Sequence, residues 1–191
     1  MSLYRLSPPM LPNRRALLSL FALLAFAASA FALSACGYSS DSKDVVEGEP
    51  VKLGDLQYNV VFSRFLNPSD NEDSAYLVGQ PEPAEGHNYF GVFLEVQNKS
   101  EEAHRLADAF TITDAGHQTF DAIPSRSLYA LPFGGEVESQ EQIPILDSTP
   151  QQGPIEGSLV LFELPASASE NRPLTLSIPG PEGPAAVTLD L

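Results

Sequence analysis

The sequence predicts an all-β fold, an Ig-like antiparallel β-sandwich. Several short segments alternate apolar and polar residues with the period of two that places successive side chains on opposite faces of a strand. The chain contains 17 prolines and 13 glycines, many of them between these segments, where they favour turns and interrupt helices. Six or seven such strands with short connections are typical of a sandwich. With one cysteine and no tryptophan, a disulfide-bridged antibody-type domain is excluded.

The first predicted strands lie at residues 56–62 and 89–98. In the second of them, one face carries apolar side chains at every alternate position, and the other face carries a more mixed set. The first set is Phe90, Val92, Leu94 and Val96, and the second is Tyr89, Gly91, Phe93 and Glu95. No segment of the domain has a convincing helical pattern, so the sequence predicts no helix.

A hairpin is predicted farther along the chain. Residues 110–113 and 119–123 flank a short turn that contains Gly116, and glycine readily adopts the positive φ that such a turn needs. A strongly apolar run that ends at a proline predicts a strand at residues 157–165, and two-residue alternation predicts two more, at residues 174–178 and 187–191. Residues 179–184 hold three prolines and two glycines and predict the turn between the last two strands.

The N-terminal part of the chain resembles a bacterial lipoprotein signal peptide. Arg14 and Arg15 precede an apolar run over residues 16–33, and the run ends in the sequence Leu33-Ser34-Ala35-Cys36, which resembles a lipobox. The resemblance implies that residues 1–35 are removed and that Cys36, diacylated on sulfur with chains such as palmitate, becomes the first residue. The expected location is the bacterial cell membrane, with the domain lipid-anchored and facing outside the cytoplasm.

Two other fates of the leader stay open at this stage. The apolar run is close to the roughly 20 residues that a membrane-spanning helix requires, so the segment could be a retained anchor. Ala28 and Ala30 also offer an ordinary signal-peptidase site, which would release the protein. The arginine pair fits twin-arginine export as well as the general pathway.

The expected organisation is a leader at 1–35, a lipidated flexible tether at 36–50 and one sandwich domain at 51–191. The tether is small, polar and acidic, which suits a flexible linker. After removal of three leader arginines, 7 basic and 25 acidic residues remain, a net charge of 7 − 25 = −18. Such a charge opposes binding to nucleic acid, which depends on Lys and Arg contacts to phosphates.

Three strand and turn segments carry a family resemblance, namely residues 89–98, 112–116 and 157–165. They resemble the telokin-like, immunoglobulin-fold domain of unknown function found in bacterial envelope lipoproteins, whose fold the secreted mycobacterial immunogenic proteins share. The resemblance covers residues 53–191. It implies a sandwich fold and an envelope location, and it brings no catalytic residues.

Motifs of catalysis are absent from the sequence. There is no Gly-x-Ser-x-Gly, His-Glu-x-x-His or glycine-rich phosphate loop, and no cofactor is expected. The densest acidic cluster contains Asp70, Glu72 and Asp73; it is a weak candidate for a metal site, because it lacks the spacing of a calcium loop, and a solvated acidic loop is the preferred interpretation. His87, His104 and His117 lack metal-ligand spacing.

The candidate partner surface is the apolar segment 128–135, where Tyr129 and Phe133 could anchor a ligand or could instead pack into the core. The leading hypothesis is a non-catalytic module that binds a protein or small molecule at the cell envelope. An envelope enzyme or metal-dependent hydrolase that uses the acidic loop residues is the alternative.

Overall fold

The computed structural model describes residues 43–190, which form two β-sheets packed face to face. The predicted leader, its lipobox Leu33, Ser34 and Ala35, the lipidation site Cys36 and the terminal Leu191 lie outside the described residues. The strands are β1 Asp44–Val46, β2 Val51–Leu53, β3 Leu56–Leu66, β4 His87–Asn98, β5 His104–Arg105, β6 Thr111–Thr113, β7 Thr119–Asp121, β8 Glu136–Val137, β9 Gln142–Ile143, β10 Ser158–Pro165, β11 Thr175–Ile178 and β12 Ala185–Thr188. A short helix α1 spans Asn71–Tyr76, and a 3-10 turn spans Ala166–Ser169.

The front sheet has the strand order β1-β12-β11-β6-β7, and the back sheet has the order β10-β4-β3-β2, with β9 also paired to β4. All of these pairs are antiparallel except β1 with β12. A small third sheet joins β5 to β8. The predicted antiparallel β-sandwich is therefore confirmed. No helix within residues 43–190 is long and apolar enough to cross a membrane.

The main core fills the space between the two sheets. It takes alternate side chains from each, among them Phe90, Val92 and Leu94 from the back sheet and Leu176 and Val187 from the front sheet. The predicted alternation therefore identifies the core face of β4 correctly. Complete burial of one such side chain stabilises a fold by about 1.5–3 kcal/mol.

A second apolar cluster covers the outer face of the back sheet. Tyr89 and Phe93 of β4 pack there with Leu159 and Leu161 of β10 and with Tyr76 at the end of α1. Strand β4 is thus buried on both faces, which explains why its sequence is almost continuously apolar. The two aromatic residues on the second face of β4 are packing residues.

The long strand β3 changes face at a β-bulge between Val60 and Phe62. Before the bulge, Tyr58 and Val60 face the main core; after it, Ser63 and Phe65 do so, and Arg64 points to the outer face with Leu66. An inserted residue reverses the alternation of a strand. The bulge therefore places Arg64 next to α1.

Three expectations about local structure were wrong. The helix α1 exists, because Asp70 caps it by accepting hydrogen bonds from the backbone of Glu72 and Asp73. In the β6–β7 turn the positive φ belongs to His117, at 63°, and Gly116 has no positive φ. Strand β1 lies inside the predicted tether, so the folded part extends farther toward the N terminus than the boundary at 51.

Candidate ligand-binding cleft

A cleft with a volume of about 580 Å³ lies at one end of the sandwich. Three chain segments form its walls: the β2–β3 turn, the segment 104–108 and the β11–β12 turn. The lining residues are Leu53, Gly54, Asp55, Leu56, Tyr58, His104, Arg105, Leu106, Ala107, Asp108, Pro179, Gly180 and Pro181. Apolar walls with a few polar groups are typical of small-ligand sites.

Tyr58 contributes a buried hydroxyl to this cleft. Its side chain belongs to the main core and only 2% of the residue is exposed, while its hydroxyl oxygen accepts a hydrogen bond of 2.9 Å from the N–H of Ala107, another lining residue. Among residues 43–190 no acceptor for the hydroxyl proton lies within hydrogen-bond distance. Burial raises the pKa of Tyr58 from its ordinary value, with the Ala107 hydrogen bond acting in the opposite direction. The hydroxyl is therefore a proton donor at neutral pH.

Arg105 supplies a positive charge at the cleft. The side chain lies against Gly134, where a Cβ atom would come within 2.8 Å of its guanidinium. Within the described residues Arg105 makes no ion pair: neither Asp108, which also lines the cleft, nor Glu136, its register partner on β8, is close enough. A guanidinium that is not ion-paired is suited to bind a carboxylate or phosphate in bidentate geometry.

The remaining polar groups are a histidine and two carboxylates. His104 Nε2 lies 3.5 Å from Asp55 Oδ2, and Asp108 lines the cleft near Arg105. The cleft therefore combines donors from Tyr58, Arg105 and His104 with carboxylate acceptors. This set can hold negatively charged oxygens and an adjacent cationic group.

Two glycines lie close to these side chains, Gly54 in the cleft wall and Gly134 beside Arg105. Gly54 turns the chain between β2 and β3 with φ +64°, and its Cα approaches so closely that a Cβ would lie 3.1 Å from Pro181 Cγ. Gly134 also has φ +64° beside Arg105, a backbone conformation that glycine adopts without steric cost. A side chain at Gly54 would press on Pro181 in the cleft wall, and one at Gly134 would displace the Arg105 guanidinium.

The acidic cluster of the sequence analysis lies elsewhere, around α1. Asp70 is the N-cap residue. Asp73 is 2% exposed, binds Arg64 through both carboxylate oxygens and accepts a hydrogen bond of 2.7 Å from the backbone of Asn67. Glu72 is exposed, as Asp70 is, and lies 3.6 Å from the same guanidinium. The preferred interpretation as a solvated loop is wrong for Asp73, which is a buried ion-pair residue of a short helix.

The other candidate residues are separated from one another. His87 sits beside the carbonyl of Glu85, with its Nδ1 3.2 Å from that oxygen, His104 is in the cleft, and His117 is exposed in the β6–β7 turn. Within residues 43–190, no group of three or more His, Cys, Asp or Glu side chains has the arrangement of a metal site.

Tyr129 and Phe133 are half-buried and point to different clusters. The Tyr129 ring packs edge-on against Tyr76, with centroids 4.7 Å apart, and the Phe133 ring lies 5.2 Å from Phe110. Tyr129 belongs to the cluster outside the back sheet and Phe133 to the main core. The segment also covers the edge of β10. The N–H of Leu131 donates to the carbonyl of Leu159, and the N–H of Leu159 donates to the carbonyl of Tyr129.

No family model matches the chain, and a search of curated proteins gives no significant match. Among solved structures, an uncharacterized β-sandwich protein from Clostridium difficile is 11% identical, covers 77% of this chain and 93% of its own, and has a TM-score of 0.46. The YjhA protein from Bacillus subtilis is 14% identical, with coverages of 77% and 99% and a TM-score of 0.44. MPT63, a secreted protein from Mycobacterium tuberculosis, is 9% identical, with coverages of 80% and 100% and a TM-score of 0.48. The fold assignment therefore rests on the pairing of the strands in this chain.

Tyr58 and Arg105 are not recognisable as site residues from the sequence. Tyr58 occupies a core position in a predicted strand, and its O–H becomes part of a site only because the segment 104–108 crosses above it. Arg105 follows His104 in a strand of two residues, too short to give a periodic signal. The only signal in the sequence is the small number of basic residues. With so many carboxylates available, each arginine is expected to form an ion pair, so an arginine that forms none is unusual.

Proposed function

We propose that this protein is a lipid-anchored, extracytoplasmic β-sandwich module that binds its ligand without catalysis, through the cleft at the β2–β3 end. The observation that carries the binding role is the presence in one cleft of two donors: Arg105, which has no ion-pair partner among the described residues, and the buried hydroxyl of Tyr58. The ligand class that fits these donors is a molecule with a phosphate or carboxylate group.

The anchoring part of the proposal is supported by the lipobox-like sequence that ends at Cys36. Two acyl chains are needed for stable anchoring, because one chain alone gives only marginal binding at about 0.8 kcal/mol per buried methylene. Intact mass and membrane fractionation of the full chain beside Cys36→Ala test it. We expect the parent protein to begin at an acylated Cys36 and to sediment with membranes, and the variant to lose both properties. Cleavage near Ala30, or an unmodified leader in both proteins, would contradict the anchor.

The binding role is tested with inorganic phosphate as the probe. The full chain in detergent is titrated at constant ionic strength while the backbone N–H signals of Leu106 and Ala107 are followed by NMR. We expect saturable shifts that disappear in Arg105→Gln. The matched control is Arg126→Gln, which removes the same charge from an exposed arginine outside the cleft. Shifts that are absent, or that persist in Arg105→Gln, would exclude the cleft as an anion site.

A further inference from the structure

The chain enters the sandwich at the same end as the cleft. Asp44 pairs with Ala186 at the start of β12, and Lys43 Nζ donates a hydrogen bond of 2.6 Å to the carbonyl of Glu182. Glu182 directly follows Gly180 and Pro181, which line the cleft. The β11–β12 turn therefore both lines the cleft and binds Lys43, the first described residue.

The distance from this point to the proposed anchor is short. The sequence places seven residues between Cys36 and Lys43, counting Lys43, and a fully extended chain of that length spans about 25 Å. The headgroup region of a bilayer therefore lies within reach of the cleft. The opposite end of the sandwich, with the β6–β7 turn, lies farther from the point of attachment by the length of the strands.

Basic residues are concentrated at this end. Residues 43–190 contain 7 basic and 24 acidic residues, and four of the seven basic residues, Lys43, Lys52, Lys99 and Arg105, are at the cleft end. Lys52 and Lys99 line a second cleft of about 300 Å³ that shares Asp55 with the first. Carboxylates at this end include Asp55, Asp108, Glu136 and Glu182. Asp55 faces His104, and Glu182 faces Lys43.

We propose that the cleft binds the phosphate of a zwitterionic phospholipid headgroup in the membrane that anchors the protein, an inference that rests on the proposed function. Arg105 and Tyr58 donate to the phosphate oxygens, and Asp55 and Asp108 accept the cationic end of the headgroup. A headgroup without net charge avoids the repulsion that a domain of −18 experiences at a strongly anionic surface. The tether makes a weak site sufficient, because it converts headgroup binding into an intramolecular event at high effective concentration.

The experiment compares the reactivity of two arginines in one molecule. The full lipidated chain is placed in bilayer nanodiscs of phosphatidylcholine and phosphatidylethanolamine, or in nanodiscs of the phosphate-free lipid digalactosyldiacylglycerol. Phenylglyoxal modification of Arg105 and of Arg126 is followed by peptide mass spectrometry. We expect Arg105 to react about tenfold more slowly in phospholipid than in galactolipid, the factor expected for one or two charge-assisted hydrogen bonds. Arg126 should react at one rate in both.

Each result is decisive. Equal protection of Arg105 in both lipids would mean that a nearby bilayer blocks the cleft without using phosphate, and this would overturn the headgroup proposal. If Arg105 is protected in neither lipid, both parts of the proposal are overturned: that the cleft lies at the membrane surface, and that it binds a headgroup phosphate. If the phosphate titration of the soluble detergent complex succeeds while the nanodisc comparison fails, the anion site remains and its ligand is a soluble one. In Tyr58→Phe, measured below the melting temperature of the variant, we expect the protection in phospholipid to decrease; the melting temperature itself should fall, because the Ala107 N–H loses its acceptor.

Discussion

Removing the charge of Asp73 should destabilise the fold substantially, although the sequence analysis assigned this residue to a solvated loop. Asp73 is 2% exposed and its carboxylate binds both nitrogens of the Arg64 guanidinium and the backbone N–H of Asn67. In Asp73→Asn one amide oxygen can still accept from Asn67, but the amide N–H₂ group opposes the guanidinium. We therefore expect a loss of free energy of unfolding.

The magnitude follows from the burial of the two partners. Breaking a fully buried pair costs about 3–5 kcal/mol, but the Arg64 side chain is 31% exposed and Glu72 lies 3.6 Å away, so water and Glu72 compensate part of the loss. An intermediate value of about 2 kcal/mol is expected, close to the value of one charge-assisted hydrogen bond. For a chain of this size it lowers the melting temperature by about 4–8 °C.

The assay is urea unfolding of the full chain in detergent, with Glu72→Gln as the matched control. This control removes the same charge from the same helix and the same guanidinium, at a side chain that is 52% exposed. We expect it to cost no more than about 0.5 kcal/mol. If Asp73→Asn and Glu72→Gln are equally mild, the ion pair with Arg64 contributes nothing measurable, and our reasoning from burial would be refuted.

Three further predictions concern the cleft and the outer cluster. Gly134→Ala should lower the free energy of unfolding by about 1–2 kcal/mol in urea, because its φ is +64° and the new Cβ would meet the Arg105 guanidinium; a neutral effect would contradict this packing. Burial raises the pKa of Tyr58 above 10.0, so the folded chain holds the phenolic proton more tightly and stability falls as pH rises above 10; Tyr58→Phe should reduce that alkaline loss in pH-dependent melting. Tyr129→Ala should lower the free energy of unfolding by about 2 kcal/mol through loss of the Tyr76 contact, whereas unchanged melting with loss of an envelope partner would support a binding role for Tyr129.

The strands could be predicted because two-residue alternation reports burial directly. Phe90, Val92 and Leu94 are apolar at alternate positions, and these positions do face the main core. The burial of the outer face of β4 is harder to predict from the sequence. Tyr89 and Phe93 are compatible with exposure, and only the structure shows that α1 and residues 123–131 cover them. Alternation describes one strand, whereas the covering segment comes from distant parts of the chain.

The helix and the cleft escaped prediction for different physical reasons. Helix α1 has six residues, fewer than two turns, so it shows no apolar period; its only local signal is Asp70 at the N-cap position. The cleft depends on Gly54, Pro181 and the segment 104–108 meeting at one end of the sandwich. Nothing in the spacing of these residues indicates that they are neighbours.

The burial of both faces of the central part of β4 restricts where this protein can bind a ligand. One face forms the main core with the front sheet, and the other lies under α1, Tyr129 and Ile155, so the side chains at residues 89–94 of β4 cannot form a binding surface. Edge β10 is covered as well, by backbone hydrogen bonds to Ile123 and Leu131. The ends of the sandwich remain available, and the end with Arg105 is the one to which the N-terminal segment is attached. An anchor at Cys36 would therefore keep this end of the domain within about 25 Å of the membrane, where the cleft encounters membrane ligands.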